Sequence, residues 1–156
     1  MMRPIARGAI SSLCLSASVL LAGPCVAADL AAAELKTQLD VSLVQTGAGN
    51  VFSLNQSGKR SSLAATQLGL GNRAAALQDG TRNQASLRQN GIENNLSLAQ
   101  DGVGNQASIL QSGSRNQAHI AQRGNNNFAL IEQRGNGGQA RITQQGNGKT
   151  ATIIQH

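Results

Sequence analysis

The stretch Gln100-Asp-Gly-Val-Gly-Asn-Gln-Ala-Ser-Ile-Leu-Gln111 decides the fold, because it opens and closes on the same residue eleven positions apart. Outward from it, the same spacing holds at Gln45, Gln56, Gln67, Gln78, Gln89, Gln122, Gln133, Gln144 and Gln155. A glycine follows each by two residues: Gly47, Gly58, Gly69, Gly80, Gly91, Gly102, Gly113, Gly124, Gly135 and Gly146. Three residues further on stand Asn50, Ser61, Asn72, Asn83, Asn94, Asn105, Asn116, Asn127, Gly138 and Lys149. Next comes an apolar position holding Phe52, Leu63 and Leu96, with Ala in the other units. The last fixed position holds Leu54, Ala65, Ala76, Leu87, Leu98, Ile109, Ile120, Ile131, Ile142 and Ile153. The unit reads Q-x-G-x-x-N-x-A-x-I-x, repeated ten times.

An eleven-residue period also suits a right-handed helical coil. Helix propensity rejects it, since the glycine in every unit costs about 1 kcal/mol relative to Ala. Within each unit the order N-x-A-x-I-x-Q has period two, the pattern of a strand with one buried face. G-x-x-N is turn chemistry: Gly accepts a positive φ and Asn binds nearby backbone. Each unit is therefore one strand and one tight turn. Leu39, Val41, Leu43 and Gln45 add a strand before the first turn, giving eleven.

The charges test this register. From Gln45 onward there are ten basic and four acidic residues, and all but Lys149 fall on turns or outward strand positions. Two units per rung predict a β-solenoid, or stack of β-arches, with 22-residue rungs and two facing parallel, in-register sheets over residues 39–156. Leu54, Leu87, Leu98, Ile109, Ile120, Ile131, Ile142 and Ile153 form its core. The Gln and Asn residues stack as amide ladders that satisfy one another.

Composition agrees. The 156 residues include 18 Gly, 17 Gln and 14 Asn, with no Trp or Tyr and only two Phe. So few aromatics argue against the deep irregular core of an ordinary globular enzyme. The net charge is +6. Residues 1–28 read as a secretory signal: Arg3 and Arg7 precede an apolar run from Ala9 to Leu21, and Val26-Ala27-Ala28 offers a small-residue cleavage site before Asp29. A lipid-bearing Cys25 is the alternative, to which the preceding Pro24 is ill suited. Both cysteines, Cys14 and Cys25, lie in this leader, so no disulfide is expected in the exported chain. Residues 29–38 form a short segment ahead of the repeats.

Ten units of spaced Gln, Gly and Asn resemble the curlin repeat family, the subunits of curli amyloid fibres. Asn50 to Gln67 and Gln100 to Gln111 carry the resemblance most closely, and it covers residues 39–156. It implies a secreted structural subunit of a fimbrium-like surface fibre used in adhesion and biofilm matrix. The basic strands, the unit Lys59-Arg60-Ser-Ser-Leu63-Ala-Ala-Thr-Gln67 and the run Ala140 to Gln155 resemble the minor, nucleating subunit. The implied partners are the major subunit, further copies of the chain, and outer-membrane export and assembly factors. A major fibre subunit is the alternative. A monomeric β-solenoid binding module for anionic surface polymers is the competing class.

Catalytic chemistry finds no pattern. His119 and His156 have no spaced partner, and Asp79 and Asp101 are two isolated turn carboxylates, far short of a calcium-binding roll. No catalytic residue, metal ligand or cofactor is expected. The surface charges Lys59, Arg60, Arg82, Arg115, Arg123, Arg134, Arg141 and Lys149 are solvated, or attract acidic partners such as the incoming subunit, anionic lipid or extracellular DNA. Arithmetic of 22 residues places Glu93 against Arg115 and Asp101 against Arg123 one rung apart.

Overall fold

The computed structural model describes residues 12–15 and 39–156. Eleven strands come from the repeats: β2 (Asp40–Ala48), β3 (Val51–Gln56), β4 (Ser62–Leu70), β5 (Arg73–Thr81), β6 (Gln84–Ile92), β7 (Asn95–Val103), β8 (Gln106–Ser114), β9 (Gln117–Asn125), β10 (Phe128–Asn136), β11 (Gln139–Gln145) and β12 (Thr150–Gln155). They alternate between two sheets. The first holds β3, β5, β7, β9 and β11, and the second β2, β4, β6, β8, β10 and β12, all parallel. None of the described residues is helical.

Pairing is in register at the 22-residue spacing: Gln67 lies beside Gln89, Gly80 beside Gly102, and Ile120 beside Ile142. An odd strand count over two sheets makes five and a half rungs. At ~4.7 Å between strands the stack rises about 26 Å. A short strand β1 (Ser12–Leu15), inside the stretch read as a leader, pairs antiparallel with β3 at the edge of the first sheet. The remainder of the leader and residues 29–38 lie outside the described residues.

The period-two pattern places the core as the sequence predicts. Leu54, Leu87, Leu98, Ile109, Ile120, Ile131 and Ile142 are buried together with the Phe, Leu and Ala column that begins at Phe52. Ile153 is only partly buried, because it belongs to the last strand and has a neighbour on one side alone. No single unit could cover its own apolar row; burial comes from the rungs above and below. Lys149, the one charge the register assigned inward, is exposed at the open end of the stack.

Candidate functional site

The glutamines form the simplest columns. In the second sheet Gln45, Gln67, Gln89, Gln111, Gln133 and Gln155 are linked in series, each Nε2 donating to the next Oε1 at 2.5–3.0 Å. In the first sheet Gln78, Gln100, Gln122 and Gln144 do the same at 2.7–2.9 Å. The second amide proton reaches backbone: Gln122 Nε2 also donates to the Gln106 carbonyl at 3.0 Å. Apart from Gln56 and Gln78, the first two of the first sheet, each buried amide of these columns is thus satisfied by a neighbour one rung away, the condition under which a polar group can sit in a dry interior.

The asparagines work differently from the expected amide-to-amide ladder. Asn50 Oδ1 accepts the backbone N–H of Asn72 at 3.0 Å, and Asn72 Nδ2 donates to Leu68 O in its own turn and to Gly91 O in the next rung, at 3.0 and 2.9 Å. Direct Asn–Asn side-chain bonds occur at only some steps, such as Asn94 to Asn72 and Asn127 to Asn105. Backbone is what this column mainly clamps. Asn83, Asn105 and Asn116 repeat the arrangement, and Ser61 Oγ stands in for the missing amide by accepting from Asn83 N–H at 3.2 Å.

Glycine and asparagine of the G-x-x-N segment are two halves of one device. Gly80 has φ +110, and a Cβ built on it would lie 2.0 Å from the carbonyl oxygen of Gly102. That same oxygen receives Asn83 Nδ2 at 3.1 Å. The bare glycine lets the next rung's carbonyl come in, and the Asn three residues later binds it. At 138 and 149 the Asn is replaced by Gly and Lys, so the last two turns lack the clamp.

Sequence reasoning missed one feature of the turns. The residue four after each Gln has φ between +55 and +70, and it is Arg60, Arg82, Glu93, Arg115 or Asn126 in half the units. Gly49, Gly71, Gly104, Gly137 and Gly148 at the equivalent places are the available signal. A branched or charged L-residue there costs about 1 kcal/mol.

Among the surface candidates, Lys59, Arg60, Arg82, Arg123 and Lys149 sit on the turns that leave the first sheet, Arg115 and Arg134 on the opposite turns, and Arg141 on the outer face of β11; all are exposed. The expected Asp101–Arg123 contact forms at 3.2 Å, but Glu93 and Arg115 make no ion pair; both are exposed in the left-handed turn position, where an ion pair gains little. Instead Arg134 pairs with Glu132 on its own strand at 2.5 Å. His119 is held below its usual pKa of 6.5, first by partial burial and then by the Arg141 guanidinium one rung away. A shallow groove of about 520 Å³ crosses the outer face of the first sheet, lined by Ala99, Ala121, Asp101 and Arg123 among others. Among the described residues no three His, Cys, Asp or Glu side chains converge.

Chemically, the arrangement does one thing well: each rung presents amides and backbone groups spaced to bind another identical rung. At the N-terminal end this is unfinished. Gln56 is 5% exposed, yet neither its Nε2 nor its Oε1 has a hydrogen-bond partner among the described residues, and Gln78 Oε1 is likewise unpartnered.

The model of the curlin associated repeat matches the chain at residues 92–124, 102–135 and 124–156. No curated protein and no solved structure matches the chain. The matched columns run on without a change of period through the upstream rungs to Gln45. With its 22-residue rungs, stacked amides and open terminal strands, the chain belongs to the curlin repeat family, the structural amyloid subunits of curli, which assemble into extracellular surface fibres.

Proposed function

We propose that this chain is the minor, nucleating subunit of a curli-type fibre, exported by the leader in residues 1–28 and held at the outer surface of the cell. It acts by templating: a terminal strand with free N–H and C=O groups, flanked by Gln side chains, pairs with the first strand of the major subunit and passes on the register. The observation that carries this reading is the difference between the internal rungs and the last one. The internal rungs hold both Gln and Asn columns, whereas the last rung keeps Gln144 and Gln155 but has Gly138 and Lys149 in the Asn positions. Such an end accepts a related strand without demanding an identical one.

The basic turns support attraction to an acidic partner, either the incoming subunit or anionic lipid and extracellular DNA at the site of attachment. Export and assembly factors at the outer membrane complete the partner set. The chain has no catalytic role and binds no cofactor. The regularity of the columns from Gln67 to Gln144 favours the second reading, a major fibre subunit. Mixing separates the two: trace amounts of this chain, added to the major subunit, shorten the lag of fibre growth if it nucleates. An unchanged lag, with efficient fibre formation by this chain alone, identifies the major subunit. A monodisperse monomer lasting for days removes both and leaves the binding module.

A further inference from the structure

The odd number of repeat strands fixes how one copy sits on the next. These strands run from β2 to β12, both in the second sheet, so with β1 set aside the first sheet holds five of them and the second six. We infer that successive copies in the fibre are related by half a turn about the fibre axis, the first sheet of one copy continuing as the second sheet of the next. This rests on the fibre-forming reading above and adds its geometry.

Two stackings keep the strands parallel and in register. If the next copy's β2 sits on β12, each sheet keeps its side, but β11 then faces a gap one strand wide before the next β3. A row of backbone donors and acceptors on each side of that gap is left unpaired, and every buried member of it loses a hydrogen bond that the unfolded chain makes to water. If the next copy turns by half a rotation, its β2 sits on β11 and its β3 on β12, and both sheets run on without a gap. Steric and polar columns also continue. Ile142 meets Leu43, Ile153 meets Leu54, and Gln144 meets Gln45.

The unpartnered amide decides between them. Gln67, Gln89, Gln111, Gln133 and Gln155 in the second sheet, and Gln100, Gln122 and Gln144 in the first, are each reached from the rung before by an Nε2. Gln56 has no earlier repeat rung in its sheet, where β1 takes the edge, and it is nine-tenths buried; its Oε1 has no donor among the described residues, and its Nε2 does not reach the equally unpartnered Gln78 Oε1. The half-turn stacking brings Gln155 of the preceding copy onto Gln56. Gln155 already donates one proton to Gln139 O at 3.0 Å, as the internal glutamines do to their own backbone partners, and keeps the other for the next rung. The unrotated stacking places Gln155 on Gln45 and leaves Gln56 facing the gap. β1 occupies the β3 edge that the junction needs. It lies in the proposed leader, so export frees that edge.

One consequence is an alternation along each side of the fibre. The outer face of the first sheet carries His119 and Arg141, and that of the second carries exposed Phe128 and Ile154. Half-turn stacking exchanges these faces every copy, about every 26 Å.

Outward cysteines at the junction test the geometry. Neighbouring parallel strands bring Cα atoms to ~4.8 Å, within reach of a disulfide. The fibres are collected from cells exporting the chain, with Cys14→Ser and Cys25→Ser as background. Thr152, Ser53 and Ser42 are exposed on strands, and 152 is at the opposite end of the copy from the other two. Half-turn stacking makes the Thr152→Cys, Ser53→Cys chain cross-link into covalent ladders of many copies on oxidation, while Thr152→Cys, Ser42→Cys stays monomeric on a denaturing gel. Ladders from the second pair alone, disulfide dimers from Thr152→Cys by itself, or no cross-link from either pair in well-formed fibres overturn the half turn and leave the fibre reading standing. A chain that forms no fibres in any background overturns both.

Discussion

The middle of the stack and its ends are built from the same unit, yet they are chemically unlike. In the middle, Gln100 and Gln111 are flanked on both sides, Ile109, Ile120 and Ile131 are sealed, and the carbonyls of Gly124 and Gly135 are held by Asn105 and Asn116. At the C-terminal end Ile153 and Gln155 are half-open and the Asn positions hold Gly and Lys. At the N-terminal end Gln56 lacks its amide partners. The lesson is that this sequence encodes interfaces between rungs and not rungs: a unit is complete only when another lies on each side. The terminal rungs are left unsaturated by the same arithmetic that saturates the centre.

Glycine should break the comparison most severely. A Cβ on Gly102 would meet the Gly124 carbonyl at 2.0 Å, a backbone contact with no side chain to move, whereas on Gly146 the nearest atom is the flexible end of Lys149 at 3.3 Å. Gly102→Ala is expected to cost about 4 kcal/mol or more, and Gly146→Ala only the strain of its positive φ, about 1–2 kcal/mol. Denaturant midpoints of the two variants compare them directly; equal loss would mean the rungs are not held at the spacing described.

Next in size is a buried charge. Ile120→Lys leaves an ammonium with no partner in a fully covered site, at about 3–5 kcal/mol. Ile153→Lys lets the ammonium reach water from the last strand and should cost under ~1 kcal/mol. Thermal unfolding would settle it, with outward Gln117→Lys as the control expected within ~0.5 kcal/mol. A smaller Ile120 effect than at 117 would shift the register by one residue.

The amide columns come third. Gln122→Ala removes a link between Gln100 and Gln144 and strands groups on both, at about 1–3 kcal/mol. Gln155→Ala strands Gln133 Nε2 within the chain and frees the Gln139 carbonyl, which lies at the exposed end and can turn to water. The central variant should lower fibre resistance to denaturant, and the terminal one should lengthen the lag phase while leaving that resistance near its original value. Matching behaviour in both assays would remove the C-terminal strand as a templating edge.

The smallest effect runs in the favourable direction. Arg82 has φ +59 where other units place Gly. Arg82→Gly relieves that strain against the greater backbone freedom of an unfolded glycine, for a net gain of about 0.5–1 kcal/mol, read as a raised unfolding temperature. A loss there would point to a contact made by the guanidinium outside the single chain.

Period and register were legible in the sequence because a strand with one buried face writes every second residue, and a solenoid writes the same line again. Ile120 and Arg141 could be assigned to opposite faces from spacing alone. Which atoms bond was not legible. Gln and Asn recur on the same eleven-residue period, but the shorter Asn side chain, seated beside a tight turn, reaches backbone where Gln reaches the next side chain. Spacing also set Glu93 beside Arg115 as readily as Asp101 beside Arg123, and only the second pair meets, since the first is held in the left-handed turn conformation. The unpartnered Oε1 of Gln56 has no trace in composition or period; it follows from where the repeat strands of the first sheet begin.

The bare glycines have a further consequence for a growing filament. Within one chain the Gly146 position has room for a methyl group, because no further rung is there; on the fibre it faces the glycine carbonyl of whichever copy arrives next. A chain carrying Gly146→Ala would therefore fold, join a filament through its unaltered first strands, and then refuse its successor. One methyl group turns a building block into a chain terminator, active at the concentration of filament tips and not of free subunits. The requirement that makes the stack so regular also leaves it open to arrest by a single defective member.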